Sequence, residues 1–374
     1  MIAPLQEIGG SRQELLTKDS RLNAIEEARR TSMLDGWTPD EIDRLIASMN
    51  RRKLIAGALA AVALAGMPSL TKAQTPVSSG WSFTDDKGNA IELAKQPVNV
   101  IADLIAAAAL WDFGIRPVGV FGWDVRADDT FNVAGGRVDA SAVEIAGNET
   151  TPFDLERAAV LAPDLIVTLT DGSGDPNLYW SIDPELVDRA RRLAPIAAIN
   201  SSRRLDLVVA RFAELAGALG ADLASEELAT AMTNADAAAA AFKTGVAASD
   251  GLSAMFIFAT PDQLFIANPK VASDLIYFRE LGLSIPDLDV EDTDYWETLS
   301  WEQSLKYPVD LVFYSTRGSL GADELKAHSA FSAHPALLAG QLAPWNGEEP
   351  LSYIGIETTL TNTLASIESA TKVS

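Results

Sequence analysis

The chain has 374 residues, 48% of them hydrophobic, with a formal charge of −23, two histidines and no cysteine. That length holds two domains and a leader, and the missing cysteine excludes disulfides, thiolate metal sites, iron–sulfur clusters, a cysteine nucleophile and a cysteine-linked lipid anchor. Of 29 basic and 52 acidic side chains, residues 1–73 hold 10 and 9, leaving 19 against 43 in the main body, which speaks against nucleic acid and against an anionic membrane surface.

Residues 1–48 are charged and hold one helix candidate, Thr38–Ile46, capped at Thr38 with Pro39 in the first helical position. Residues 49–73 read as a cleaved secretory signal. Arg51 and Arg52 precede an apolar run in a twin-arginine-like manner, and Thr71-Lys72-Ala73 supplies a small-residue cleavage site. Met49 is therefore expected to be the working start and Gln74 the first mature residue. The alternative is an anchored sensor with residues 1–48 in the cytoplasm.

The main body alternates strands and helices. A hairpin is expected over Trp81–Leu93 with its turn at Asp86–Asn89. Strands follow at Pro97–Ile101 and Pro117–Phe121, with a helix at Ala106–Phe113 between them. Thr151–Thr170 reads as a short helix capped by Asp154, ended by Pro163, and followed by a buried strand from Leu165. Pro184–Leu193 is a helix, Ile196–Ile199 a strand and Leu205–Leu219 an amphipathic helix. Asp222–Val246 is alanine-rich, without proline, and reads as one helix of roughly 35 Å. Ala254–Phe258 and Gln263–Ala267 are strands and Ala272–Leu281 is a helix. Asp287–Tyr295 is an acidic loop, Leu311–Tyr314 a strand, Ser329–Gly340 helical, and Leu351–Ile367 a final helix.

The Thr151–Thr170 pattern returns 146 positions later. Asp154 matches Ser300, Glu156 matches Glu302 and Asp164 matches Asp310. A second helix should therefore start near Ser300. Leu110–Pro117 and Phe278–Pro286 echo each other in the same order. Two echoes in register imply two similar lobes. The expected architecture is α/β: two Rossmann-like lobes, 74–221 and 247–374, joined by one long helix, 222–246, with parallel sheets and a ligand cleft between the lobes.

No nucleophile elbow, phosphate loop or dinucleotide fingerprint is present, and nothing points to an enzyme. His328 and His334, six residues apart, do not share a helical face and read as structural or surface groups, not metal ligands. At the predicted strand ends stand Trp123, Arg126, Tyr179, Trp180, Arg203, Arg204, Tyr295, Trp296, Arg317, Trp345 and Tyr353. Aromatics supply flat apolar walls and arginines supply forks for ligand oxygens. Trp123, Arg126 and Arg317 lie in loops and are the best placed. All but Arg204 form the candidate ligand-binding set.

Three stretches carry a family resemblance: Val98–Val120 with Leu110-Trp-Asp-Phe-Gly-Ile-Arg-Pro, Phe153–Val167, and Leu299–Phe313. Across nearly everything after the signal, the chain resembles the periplasmic substrate-binding proteins of iron–siderophore and cobalamin-type ABC importers. The ending Trp345…Ser352-Tyr353-x-Gly355 resembles the siderophore branch. The resemblance implies a periplasmic, non-enzymatic monomer that delivers a ferric siderophore to an ABC permease. It implies that Glu156 and Glu302 dock into permease arginines, and that no cofactor is needed beyond the iron carried in the ligand. The acidic body leans toward a neutral or cationic hydroxamate chelate. Haem or cobalamin is the alternative ligand.

Overall fold

The structure, a computed structural model, describes residues 80–172 and 174–374. The expected signal, residues 49–73, and the helix candidate Thr38–Ile46 before it lie outside the described residues. The elements run β1 (Trp81–Thr84), β2 (Ala90–Leu93), β3 (Val100–Asp103), α1 (Leu104–Asp112), β4 (Gly119–Phe121), β5 (Glu144–Ile145), α2 (Leu155–Val160), β6 (Leu165–Thr170), α3 (Val187–Leu193), β7 (Ile196–Asn200), α4 (Leu205–Ala218) and α5 (Glu226–Ala248). The second half holds β8 (Ala254–Ala259), β9 (Gln263–Ala267), α6 (Ser273–Glu280), β10 (Trp296–Ser300), β11 (Leu311–Ser315), α7 (Ala322–Ala327), α8 (Pro335–Leu338), β12 (Leu342–Trp345) and α9 (Tyr353–Ser369).

Two five-stranded sheets result, in the orders β5-β4-β3-β6-β7 and β10-β9-β8-β11-β12. The first is parallel throughout. In the second, β8, β11 and β12 are parallel, while β9 pairs antiparallel with both β8 and β10. The two-lobed α/β architecture is therefore as expected, with an antiparallel edge in the second lobe. That edge forms because β8 and β9 are joined by a tight turn, which leaves no room for a crossover helix.

Three further elements depart from the sequence reading. The second copy of the repeat does not form an α-helix; Trp301–Gln303 is a single 3-10 turn, capped reciprocally by Ser300 and Gln303. Trp296–Ser300, which follows the expected acidic loop and falls in no predicted element, is the edge strand β10. Leu342–Trp345, for which the sequence reading gives no element, is β12 and pairs with β11 despite Pro344. An edge strand tolerates proline because one row of its N–H groups has no partner to lose.

The repeat has a structural cause. Asp164, just before β6, accepts from the N–H groups of Val98 (3.2 Å) and Asn99 (3.1 Å), just before β3. Asp310, just before β11, accepts from the Ser253 N–H and hydroxyl (2.8 Å each), just before β8. Each aspartate thus pins the start of the neighbouring parallel strand. Asp310 also accepts from Val373 N (2.6 Å) and Ser374 N (2.7 Å), which ties the end of the chain to the sheet. These residues lie at the N-terminal strand ends, opposite the cleft.

Alternation sorts the apolar side chains into three clusters. Ile101, Phe121, Phe153, Ile166 and Ile196 pack beneath α2 and α3 on the outer face of the first sheet. Met255, Ile257, Leu264, Val312 and Phe331 form the outer core of the second. The largest cluster lies between the sheets and joins Leu104, Val167, Phe212, Phe242, Phe256, Phe278, Phe313 and Leu360 from both lobes. Helix α5 starts at the Ser225 cap and runs 23 residues beside α9, where Gly245 meets Leu364.

Burial opposes ionisation of Asp310, but hydrogen bonds from Ser253, Val373 and Ser374 outweigh it and hold the carboxyl well below the usual carboxylate range. A lowered carboxyl stabilises the fold above its ordinary pKa and stops doing so as pH falls through the lowered value. Asp310→Asn is expected to cost ~2 kcal/mol at neutral pH. Urea unfolding should show the deficit shrinking once the pH falls below about 4.

Candidate functional site

The parallel strands of both sheets point their carboxyl ends at one region, where the loops after β4, β6, β11 and β12 converge. The β4 loop turns at Gly122, whose φ of +121° is costly for other residues and whose Cβ would lie 2.8 Å from the Ser181 hydroxyl. The turn sets Trp123 beside Trp180, and the Trp123 Nε1 donates to the Trp180 carbonyl (3.2 Å). Both rings are half-buried. Arg126 is exposed in the turn that follows, where its N–H donates to the Thr130 carbonyl (2.7 Å).

The second lobe carries a larger aromatic surface of its own. The period of two in β8 places Phe256 and Phe258 on the inner face, the first in the core and the second near the strand's carboxyl end. Phe265 is the cross-strand partner of Phe258, with ring centroids 5.8 Å apart. Trp296 packs 6.2 Å from Phe258 and 6.4 Å from Phe265, and Tyr295 sits edge-on to Trp296 at 4.9 Å. All four are half-buried, so part of each ring remains exposed.

Arg317, in the β11 loop, spans the gap. Its Nη2 lies 2.6 Å from Asp124 Oδ1 of the first lobe and its Nη1 lies 2.6 Å from Glu348 Oε1 of the β12 loop. The loops also touch where Gly136 meets Pro350, so closely that a Cβ on the glycine would lie 2.5 Å from the proline ring.

The structure thus brings Trp123, Arg126, Trp180 and Arg317 to the loops at the strands' carboxyl ends, places Tyr295 and Trp296 at the start of β10, opposite Ala267, and engages the other four in further contacts. Tyr179 is 1% exposed, in the outer core, with Arg191 donating to its hydroxyl (3.1 Å). Arg203 faces Asp86 (3.7 Å) at the β1–β2 hairpin, and Arg204 pairs with Asp206 (2.7 Å) and Glu280 (3.6 Å). Trp345 is 4% exposed and donates to the buried Asp274 carboxylate (2.7 Å). Tyr353 packs edge-on to Phe113 (5.8 Å) and lines a small recess between α1, α5 and α9, too small for a ligand. The sequence reading missed Phe258 and Phe265 as wall residues, although the alternation in AMFIFA and QLFIA carries that signal.

Glu156 and Glu302 stand at the start of the segments that precede β6 and β11. These segments run against their strands, so both glutamates lie on the cleft edge, one per lobe. Glu302 is exposed, and hydrogen bonding to Ser300 lowers its carboxyl pKa. His328 stacks on the neighbouring Trp301 at 3.7 Å. His334 is fully buried, with Nε2 at 2.9 Å from the Tyr307 carbonyl and Nδ1 accepting from Ala336 N. Among the described residues no group of three or more metal-ligating side chains is placed to hold an ion, and no helix is long and apolar enough to cross a membrane.

A two-lobed α/β fold with its loops gathered over an aromatic cleft defines a ligand-binding protein of the periplasmic class. The sequence profile described as "Periplasmic binding protein" matches residues 127–348. The chain belongs to this family. It is similar to DesE, a ferric-siderophore receptor protein from Streptomyces coelicolor, at 33% identity over 79% of this chain and 100% of that one, with a TM-score of 0.72. The fold is shared with the petrobactin-binding protein YclQ from Bacillus subtilis (15% identity, 78% and 99% of the two chains, TM-score 0.61). It is shared too with Fe3+–Desferal-bound FhuD from Vibrio cholerae (17% identity, 73% and 98%, TM-score 0.52). Among curated proteins none matches.

Burial raises the Asp274 carboxyl to about 6, against the hydrogen bond from Trp345 that favours its charged form. A raised carboxyl makes the folded state bind the extra proton between its ordinary pKa and the raised one, so its contribution to stability falls as pH rises through that window. Asp274→Asn removes this titration. The unfolding free energy of the variant, measured by urea at pH 4 and pH 7, should therefore improve relative to wild type as pH rises.

Proposed function

We propose that this protein binds a ferric siderophore in the periplasm and delivers it to the permease of an ABC importer. What supports this reading is a group of part-exposed aromatics in each lobe, Trp123 and Trp180 in the first and Tyr295 and Trp296 in the second, with Arg317 joining the loops of the two lobes. It occurs in a chain 33% identical to a ferric-siderophore receptor over that protein's full length. Flat rings complement the apolar flanks of a chelate, and arginine is suited to its iron-coordinating oxygens. A hydroxamate is favoured, because the acidic body disfavours a highly anionic chelate. No residue set supports turnover of a substrate.

The docking face is proposed to be the cleft edge, where Glu156 and Glu302 present one carboxylate per lobe. Both would meet arginines of the permease at a polar rim, where charge sets encounter rate and register more than raw affinity.

The test is a tryptophan-fluorescence titration against ferrioxamine B, ferrichrome, ferric citrate, a ferric catecholate, haem and cobalamin. Saturable quenching by a ferric chelate, with no response to its iron-free form, is expected. A response to haem or cobalamin alone would replace the ligand class. Trp123→Ala and Trp296→Ala should each weaken binding at least about tenfold, ~1.4 kcal/mol. The double variant Glu156→Ala with Glu302→Ala should bind the chelate normally and fail to support iron uptake in cells. Normal uptake by that variant would contradict the docking role.

A further inference from the structure

Arg317 joins the cleft loops of the two lobes by charge, and both of its Nη groups are engaged. One faces Asp124 and the other Glu348, each at 2.6 Å. The Asp124 side chain is 2% exposed, that of Glu348 17% and that of Arg317 25%. Asp124 is fixed within its own lobe: its Oδ1 accepts from Asn132 Nδ2 (2.8 Å) and its carbonyl from Asn132 N (3.1 Å). Glu348 is held by a turn in which its N–H donates to Asn346 Oδ1 (3.1 Å). The Asp124 carboxylate is thus anchored independently of Arg317.

One guanidinium between two carboxylates leaves this trio with one net negative charge. A guanidinium already ion-paired with two carboxylates offers an anionic ligand oxygen little uncompensated positive charge. An anionic ligand reaching Arg317 would face both carboxylates at short range. A ligand bearing an ammonium group would instead relieve the excess negative charge, in a gap where burial limits screening.

We infer that Asp124 and Glu348 set the charge selectivity of the cleft: by occupying Arg317 they admit neutral and cationic chelates and turn away anionic ones. The inference rests on the cleft being the siderophore site. Three hydroxamates neutralise ferric iron, and a pendant amine makes such a chelate cationic. Three catecholates leave it strongly anionic. The two acids therefore select between chelate classes whose overall shapes are similar.

The test uses the full chain as wild type, Asp124→Asn and Glu348→Gln, each checked for a native thermal melt. Tryptophan quenching is titrated with ferrioxamine B (cationic), ferrichrome (neutral) and ferric enterobactin (an anionic tris-catecholate). Wild type should bind the two hydroxamates and discriminate against the catecholate. In the variants the affinity ratio of ferrioxamine B to ferric enterobactin should shift toward the anion by at least about tenfold. The shift should shrink as salt is raised. Glu348 sits on a surface turn, so Glu348→Gln tests the idea even if Asp124→Asn does not fold. Wild-type binding of hydroxamates with an unchanged ratio in every folded variant would overturn this inference alone. Failure of wild type to bind any of the three chelates would overturn the siderophore reading and the inference with it.

Discussion

The facing sides of the two sheets are buried by one shared layer of helices. Helices α1 and α4 from the first lobe, α6 and α9 from the second, and α5 between them contribute to a single apolar cluster. The arrangement follows from parallel sheets, which must be covered on both faces. Here the inner covers serve both lobes. The lobes cannot separate widely without exposing Phe212, Phe242, Phe278 and Leu360, each of them fully buried. Truncating a buried phenylalanine of this kind costs about 3–5 kcal/mol. The junction is thus stiff, and the position of the cleft is set by the core beneath it.

Polar contacts reinforce the junction where the apolar layer ends. Ser352, the cap of α9, donates to Asp112 at the end of α1 (2.6 Å), and Asp112 also receives Arg137 (2.9 Å). Asn234 of α5 donates to Glu357 of α9 (3.2 Å). Arg204 reaches Glu280 across the lobes. Ion pairs of this exposed kind are weak individually. They orient the lobes, and the core supplies the cohesion. Arg317 with Asp124 is the corresponding contact at the cleft mouth, and because the carboxylate there is buried it bears directly on what can enter.

Much of the fold is legible in the chain. Asp154 caps α2 by accepting from Glu156 N and Arg157 N, and the hairpin turn is held by Asp85 and Asn89. The repeat proved informative, though its copies differ. Asp164 and Asp310 do the same work in each lobe, whereas the segment after Ser300 holds only a 3-10 turn. The short strands β5, β10 and β12 escaped notice because edge strands are selected by the neighbour they pair with, and that neighbour is far away in sequence.

Local patterning determined the strand–helix alternation, the two-lobe plan, the bridging helix, and the presence of aromatics and arginines near the strand ends. Those follow from short-range rules: side-chain period, caps and the limits that proline and glycine set on the backbone. Tertiary structure decided which aromatics form walls. Trp296 and Trp345 look alike in sequence, yet one keeps part of its ring exposed and the other is buried against Asp274. It also decided that Arg317 would be shared by Asp124 and Glu348. Burial and ion pairing are set by residues from loops distant in the chain, and nothing in the neighbourhood of a single residue encodes them.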